Sequence, residues 1–308
     1  MLPMSTRREA VTVRVPAKLN LELLVGPRRE DGYHDLSTVF HAVSLFDSIT
    51  VEDADDWSVE VLGPYAHLVP AGEGNLALDA ARLLASWEGI ERPVKITIDK
   101  AIPVAAGLAG GSADAAGALV GCDALWGLDS DRAVLDSLAA RLGSDVNFAL
   151  TGGTAIGSGR GERLAPVLAR GRYEWVLVTS DEGLSTPKVF AELDRLREGR
   201  EIDIPEPTPA MMAALRGGDV HALGAALTND LQEAALSLRP ELGEVLDAGM
   251  ECGALGGVVS GSGPTVALLA ENPEGALDLV SALTDARVGA LVKRAGGPVH
   301  GAHVVTGV

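Results

Sequence analysis

The segment Pro103-Val104-Ala105-Ala106-Gly107-Leu108-Ala109-Gly110-Gly111-Ser112-Ala113 lies between a β-branched run and an alanine-rich helical pattern. Glycines free the backbone to aim several N–H groups at one anion, and a helix N-terminus adds its dipole. Ser112 could offer its hydroxyl to a phosphate or to a metal ion. A flexible strand–helix linker would have the same composition. The loop is not a Walker motif, because no Gly-Lys-Ser/Thr closes it, and it lacks the Gly-x-Gly-x-x-Gly dinucleotide spacing.

Lys18 is one of only five lysines and stands among apolar strand residues. It is either a solvated strand-face cation or a fixed ammonium that stabilises a developing alkoxide or a transferring phosphoryl group. Asp145 follows a glycine that ends a helical pattern. It reads first as an N-cap, with a carboxylate that accepts a substrate hydroxyl proton as the functional alternative. Tyr33 and His34 sit in a turn-rich loop of a chain with only 4% aromatics. Tyr33 could stack on a flat ring or anchor its loop. Phe190, on a helical pattern after Thr186-Pro187, reads first as a core residue. No His/Cys cluster has metal-ligand spacing, and no nucleophile elbow is present.

The elements that must position these groups are legible from periodicity. Residues 13–25 alternate apolar and polar, which predicts a strand with one buried face and puts Lys18 and Asn20 together on the other. A hairpin turn at Asp31-Gly32 follows, then strands over 36–46, 48–52 and 57–62. A helix over 75–87 capped by Asn75, a strand over 94–98, and helices over 111–126 and 131–142 come next. Ala116, Leu119, Val120 and Ala124 give the helix over 111–126 an apolar stripe. Gly143 suits the C′ position of its successor. Ser144-Asp145 opens a short helix that Gly152-Gly153 breaks. Beyond Gly157–Gly161, with three glycines in five residues, strands resume over 164–178. Helices over 187–197, 209–216, 231–236, 240–252 and 273–283 alternate with strands over 256–260, 265–270, 288–293 and 300–305. Short strands and helices in alternation, with antiparallel hairpins first, predict an α+β fold in two domains, 1–165 and 166–308.

The net charge is −18, from 43 acidic and 25 basic side chains. Such a balance repels nucleic acid and anionic membranes, so neither is an expected partner. It also means that a site for a polyphosphate must rely on backbone N–H groups, helix N-termini, a few cations and a metal ion. Cys122 and Cys252 lie in apolar stretches and read as buried reduced thiols. Residues 1–15 carry arginines but no apolar core of signal-peptide length, and no run of 18 apolar residues occurs. A cytoplasmic protein is expected, as a monomer or weak homodimer.

Pro103-x-x-x-Gly107-Leu-x-Gly-Gly-Ser-x-Ala115 resembles the phosphate loop of the GHMP kinases, and Ser260-Gly-Ser-Gly-Pro-Thr265 is similar to their C-terminal glycine motif. Pro16-Ala-Lys18-Leu-Asn20-Leu, Asp31-Gly-Tyr-His34 and Gly143-Ser-Asp145-Val resemble one branch of them, which acts on a cytidyl-diphosphate sugar alcohol of the non-mevalonate isoprenoid pathway. The resemblance implies a ribosomal S5 domain 2-like N-terminal domain and a ferredoxin-like C-terminal domain, with the active site between them. It implies ATP as phosphoryl donor, with Mg²⁺ and Ser112 as a candidate ligand. Pro103–Ala113 would wrap the ATP phosphates. Asp145 would be the base for the substrate 2-hydroxyl, Lys18 would position it and stabilise charge, and Asn20 would hold the substrate. Tyr33 and Phe190 would sandwich the cytosine, which His34 would hydrogen-bond. Alanine at positions 105, 106 and 109 is expected to require negative φ. The rivals are a homoserine or mevalonate kinase, which Lys18 and the Asp31–His34 loop argue against, and a ligand sensor of the same fold.

Overall fold

The computed structural model describes residues 9–180 and 182–305. Residues 1–8 of the segment read as lacking a leader lie outside that range. Two long strands form the frame: β1 (Ala10–Arg28) and β2 (His34–Asp53). They pair antiparallel along nearly their whole length, with three register shifts, and Gly32 turns between them at φ +83°. The two strands expected over 36–46 and 48–52 are therefore one. β3 (Ser58–Leu62), β4 (Val94–Asp99), β5 (Thr154–Gly159), β6 (Arg163–Pro166), β8 (Thr228–Asn229) and β12 (His303–Val304) complete an eight-stranded sheet. The free edge of β2 is shared, with β5 on residues 36–41 and β4 on residues 48–53.

Four helices cover this sheet: α1 (Leu76–Glu88), α2 (Gly110–Trp126), α3 (Arg132–Leu142) and α4 (Val146–Thr151). Asn75 caps α1 as expected, its Oδ1 accepting from the amides of Ala77 and Leu78. The stripe expected on α2 is corrected. Val120 and Ala124 are only half-buried, while small residues on several other sides are buried. The cause is enclosure: α2 runs against the sheet on one side and against α1, α3 and α4 on the others. Gly117 and Gly121 allow the close approach, since a Cβ there would stand 2.4 Å from Ile49 and 2.7 Å from Val51. Gly143 ends α3 in extended backbone rather than in the left-handed C′ conformation.

A second sheet has the order β11-β7-β10-β9, from β7 (Tyr173–Thr179), β9 (Gly256–Val259), β10 (Val266–Ala270) and β11 (Leu291–Gly297), all antiparallel. In chain order this is 4-1-3-2. α5 (Thr186–Leu196), α6 (Pro209–Gly217), α7 (Val220–Ala226), α8 (Gln232–Leu238) and α9 (Glu241–Glu251) connect its first two strands, and α10 (Pro273–Asp285) its last two. That is the ferredoxin-like βαββαβ pattern. The seven-residue α7 escaped the sequence reading, being too short for a periodic signal.

The second sheet's chain returns twice to the first. β8 pairs parallel with β1 at Glu22–Leu23, and β12 pairs with β1 at Val13–Arg14. Just before β12 the backbone clasps α4: Gly153 N donates to Val299 O at 2.7 Å and Ala302 N to Ala149 O at 2.8 Å. A Cβ on Gly152 would lie 2.1 Å from Gly301 N. Every residue of β1 from Pro16 to Leu23 is buried, so the single buried face expected there is corrected. Cys122 is buried, and burial pushes its thiol pKa up; Cys252 is exposed, against expectation. No helix among the described residues is long and apolar enough to cross a membrane.

Candidate active site

Ala109 offers no side-chain cap to the first turn of α2, and the first amide bonded back is that of Ala113, to Ala109 O at 2.9 Å. The amides of Gly110, Gly111 and Ser112 precede it. Such first-turn amides have no intrahelical acceptor and are the anion-binding end of a helix. All three residues line a cavity of about 450 Å³. The loop before them is not slack. Ser260 Oγ donates to Gly107 O at 3.1 Å, and Thr265 N donates to Ala106 O at 3.3 Å, so the two glycine motifs dock on each other. Ala105 and Ala109 adopt φ of +52° and +59°, so the expectation of negative φ is corrected for both. Left-handed alanine costs roughly 1–2 kcal/mol, which the docked surroundings sustain. Pro103, Leu108 and Ala113 are buried and line no part of this cavity. Leu108 O instead accepts from Lys18 N at 3.2 Å. Val104 borders a separate cavity of about 170 Å³ beside Asn75 and Lys100.

Gly107 faces Ser260 most closely: at φ +77°, its Cβ would stand 2.0 Å from Ser260 O. Gly107→Ala should therefore part the two motifs and cost more than about 2 kcal/mol of stability in urea unfolding. Ala109→Gly should be near neutral, because the relief of left-handed strain offsets the added chain entropy.

Lys18 is buried, not solvated. Its Nζ donates to Asn20 Oδ1 at 2.6 Å and lies 3.7 Å from Asp145 Oδ2. Burial pushes the Lys18 pKa down, and the Asp145 carboxylate opposes that shift. Asn20 Nδ2 donates to Thr38 Oγ1 at 2.8 Å, and that hydroxyl donates to Glu22 O at 2.8 Å, which fixes the amide's orientation. Asp145 occupies the N-cap position of α4 but its side chain caps no amide. It turns into the cavity that Lys18, Asn20 and Ser112 also line. A Cβ on Gly261, in the C-terminal motif, would lie 3.1 Å from Lys18 Nζ, and the φ of +57° there favours glycine where the backbone closes over the lysine.

Tyr33 and His34 do not line this cavity. They border an adjoining one of about 820 Å³, and Phe190 borders both. Phe190 is thus a half-buried wall rather than a core residue, its ring stacked on His34 with centroids 5.3 Å apart. His34 Nε2 lies 2.8 Å from Asp194 Oδ1. Tyr33 is 55% exposed at the cavity mouth.

Sequence reasoning missed the support under the loop. Lys100 Nζ, fully buried, donates to Asp47 Oδ2 at 2.6 Å and to Asp114 Oδ2 at 2.7 Å. Asp47 Oδ1 also accepts from the amides of Ala101 and Ile102, at 2.7 and 2.8 Å. Asp114 lies near the start of α2. The triad therefore ties the entry of the glycine loop to its exit. Burial pushes the Asp114 pKa up to about 8, against the opposing Lys100 charge and reinforced by Asp47. Asn229 was missed too. Its Nδ2 donates to Val259 O and Gly261 O, both at 2.7 Å, which holds the C-terminal glycine motif in place.

The model for the GHMP kinases N terminal domain matches residues 75–155, and that for GHMP kinases C terminal matches residues 211–288. The 4-diphosphocytidyl-2-C-methyl-D-erythritol kinase of Mycolicibacterium smegmatis is 58% identical, over 96% of this chain and 92% of that protein. The kinase of the same name from Thermobifida fusca is 55% identical, over 96% and 98%. The chain belongs to the 4-diphosphocytidyl-2-C-methyl-D-erythritol kinases of the GHMP superfamily. A crystal structure of a 4-(cytidine 5'-diphospho)-2C-methyl-D-erythritol kinase superposes with a TM-score of 0.75 at 37% identity, covering 92% of this chain and 99% of that one. Homoserine kinase from Cytophaga hutchinsonii superposes at 0.77 with 17% identity, over 99% of this chain and 100% of that one, a likeness of fold alone. The two-domain GHMP kinase fold is thus the fold of this family member.

Proposed function

We propose that the chain transfers the γ-phosphoryl group of ATP to the 2-hydroxyl of 4-diphosphocytidyl-2-C-methyl-D-erythritol, in the methylerythritol phosphate route to isoprenoid precursors. The observation that carries the reading is the convergence of Lys18, Asp145 and the uncapped start of α2 on one cavity, beside a second cavity walled by Tyr33, His34 and Phe190. The phosphate chain of ATP lies along Ala105–Ser112. Asp145 takes the hydroxyl proton as the acceptor oxygen forms its bond to the γ-phosphorus. The bond from that phosphorus to the bridging oxygen breaks, and ADP leaves. Lys18 balances the charge that develops on the entering oxygen, and Asn20 orients Lys18. Positioning and charge stabilisation do most of the work in such a transfer.

Mg²⁺ fits this donor set in one way. No group of three His, Cys, Asp or Glu side chains forms a metal cage among the described residues. Mg²⁺ takes its ligands largely from phosphate and water oxygens. Ser112, beside the loop, is the side chain we propose for it, and a bound Mg²⁺ would neutralise phosphate charge. We further propose that the protein divides functionally at 1–165 and 166–308, and that it works in the cytoplasm on a small-molecule acceptor, as a monomer or weak homodimer.

ADP release measured with the cytidyl substrate, homoserine and mevalonate in turn tests the assignment. Release should require the cytidyl substrate. Release with homoserine or mevalonate would overturn it, and release with none would favour a sensor. Tyr33→Ala should raise KM for the cytidyl substrate about tenfold or more with little change in kcat, because a stacked ring is lost from ground and transition state alike. An unchanged KM would reduce Tyr33 to a loop anchor.

A further inference from the structure

The glycines of Gly157–Gly161 have no part in the chemistry above, yet they shape the floor of the site. A Cβ on Gly157 would stand 2.6 Å from Phe40 Cε2, and the Phe40 ring lies 5.8 Å from Lys18 Nζ. Gly159 and Gly161 take φ of +72° and +101°, closing a tight turn between β5 and β6. The turn presents Arg160. Its amide donates to Glu162 Oε2 at 2.6 Å, so the nearest carboxylate in sequence is spent on backbone. Its guanidinium carbon lies 5.0 Å from the Tyr33 ring centroid. Among the described residues, no carboxylate lies within 4.0 Å of that guanidinium, in a chain whose net charge is −18.

Arg160 also stands where the two cavities meet. Five residues border both: Leu36, Arg160, Thr186, Pro187 and Phe190. Arg160 is the one charged member of that set. Arg28 and Arg141 border the ring cavity alone, and Arg28 already has Asp194 at 3.6 Å. An acceptor with its ring against Phe190 and its hydroxyl at Asp145 must lay its diphosphate across this boundary. A planar guanidinium with free donors matches phosphate oxygens in paired fashion.

We propose that Arg160 binds the diphosphate of the acceptor and so sets the distance between the seated ring and the reacting hydroxyl. The inference rests on the acceptor reading above. Isothermal titration of cytidine, CMP and CDP into wild type, Arg160→Gln and Arg160→Lys tests it, with the ATP site filled by a non-hydrolysable ATP analogue. Wild type should bind CDP at least about tenfold more tightly than cytidine, and salt should shrink that increment. Arg160→Gln should lose most of the increment while binding cytidine close to wild type; Arg160→Lys should retain part of it. Equal weakening of cytidine and CDP in Arg160→Gln would overturn the proposal, as would an intact increment in that variant. Wild type that binds cytidine with no gain from the diphosphate overturns the role of Arg160 alone. Wild type that does not bind cytidine overturns the acceptor reading itself.

Discussion

Asp145→Asn is expected to lower kcat by two to four orders of magnitude while leaving KM for both substrates within a few-fold. The asparagine keeps the shape and cannot take up the hydroxyl proton. The fold should be indifferent to the change, because the Asp145 side chain caps no amide of α4 and lies 30% exposed at the cavity. Lys18 would lose its nearest carboxylate but would keep the 2.6 Å bond to Asn20. Steady-state kinetics beside a urea unfolding curve separates these effects. Near-normal kcat in a folded Asp145→Asn protein would remove Asp145 from the chemistry.

Lys100→Met should carry the largest stability cost of any single change away from the reacting atoms. Removing one partner of a buried ion pair typically costs 3–5 kcal/mol, since the charge left behind is stranded. Here the Asp47 carboxylate is stranded, Asp114 loses its donor, and the link between the two ends of the glycine loop is cut. KM for ATP should rise with the instability. The same triad predicts a pH dependence. With its folded pKa raised to about 8, Asp114 is protonated in the folded protein and ionised in the unfolded chain between pH 4 and 8. Folding then takes up a proton. The stabilisation is complete below the unfolded carboxyl pKa and is lost as pH rises through about 8, at up to about 1.4 kcal/mol per pH unit. Urea midpoints at pH 5 and pH 7.5 should show this slope in wild type. Asp114→Asn, which mimics the protonated acid, should flatten it; an unchanged slope would assign it to other groups.

Lys18, Asn20 and the glycine loop were legible because their signals are local. Period-two alternation placed the first two on one strand face, and glycine content marked the loop. Their enclosure was not legible, because it comes from Asp145 and from the second glycine motif at 260–265, which arrive from far along the chain. Asp47 shows how such distance misleads. Within 36–52 it reads as a break between two strands, and in the fold it is a fully buried partner of Lys100 inside one strand. Lys100 drew no reading from the sequence, since its partners at residues 47 and 114 are joined by no spacing rule. The left-handed Ala105 and Ala109 were misjudged for a related reason: propensity disfavours them, and docking against the second glycine motif overrides propensity. The position of Asp145 was legible and its role was not, since N-cap and base look identical in sequence.

The clasp of residues 299–302 on α4 has a consequence for how the protein is born. A ribosome makes Asp145 and its helix long before it makes Val299 and Ala302, whose backbone bonds seat that helix. Contacts of such long sequence separation form late and slowly. A nascent chain can therefore assemble the Lys100 triad early, yet its glycine loop finds its dock on residues 260–265, and Asp145 its final place, only after the second sheet has emerged. Competence for phosphoryl transfer is delayed until both halves of the polypeptide exist.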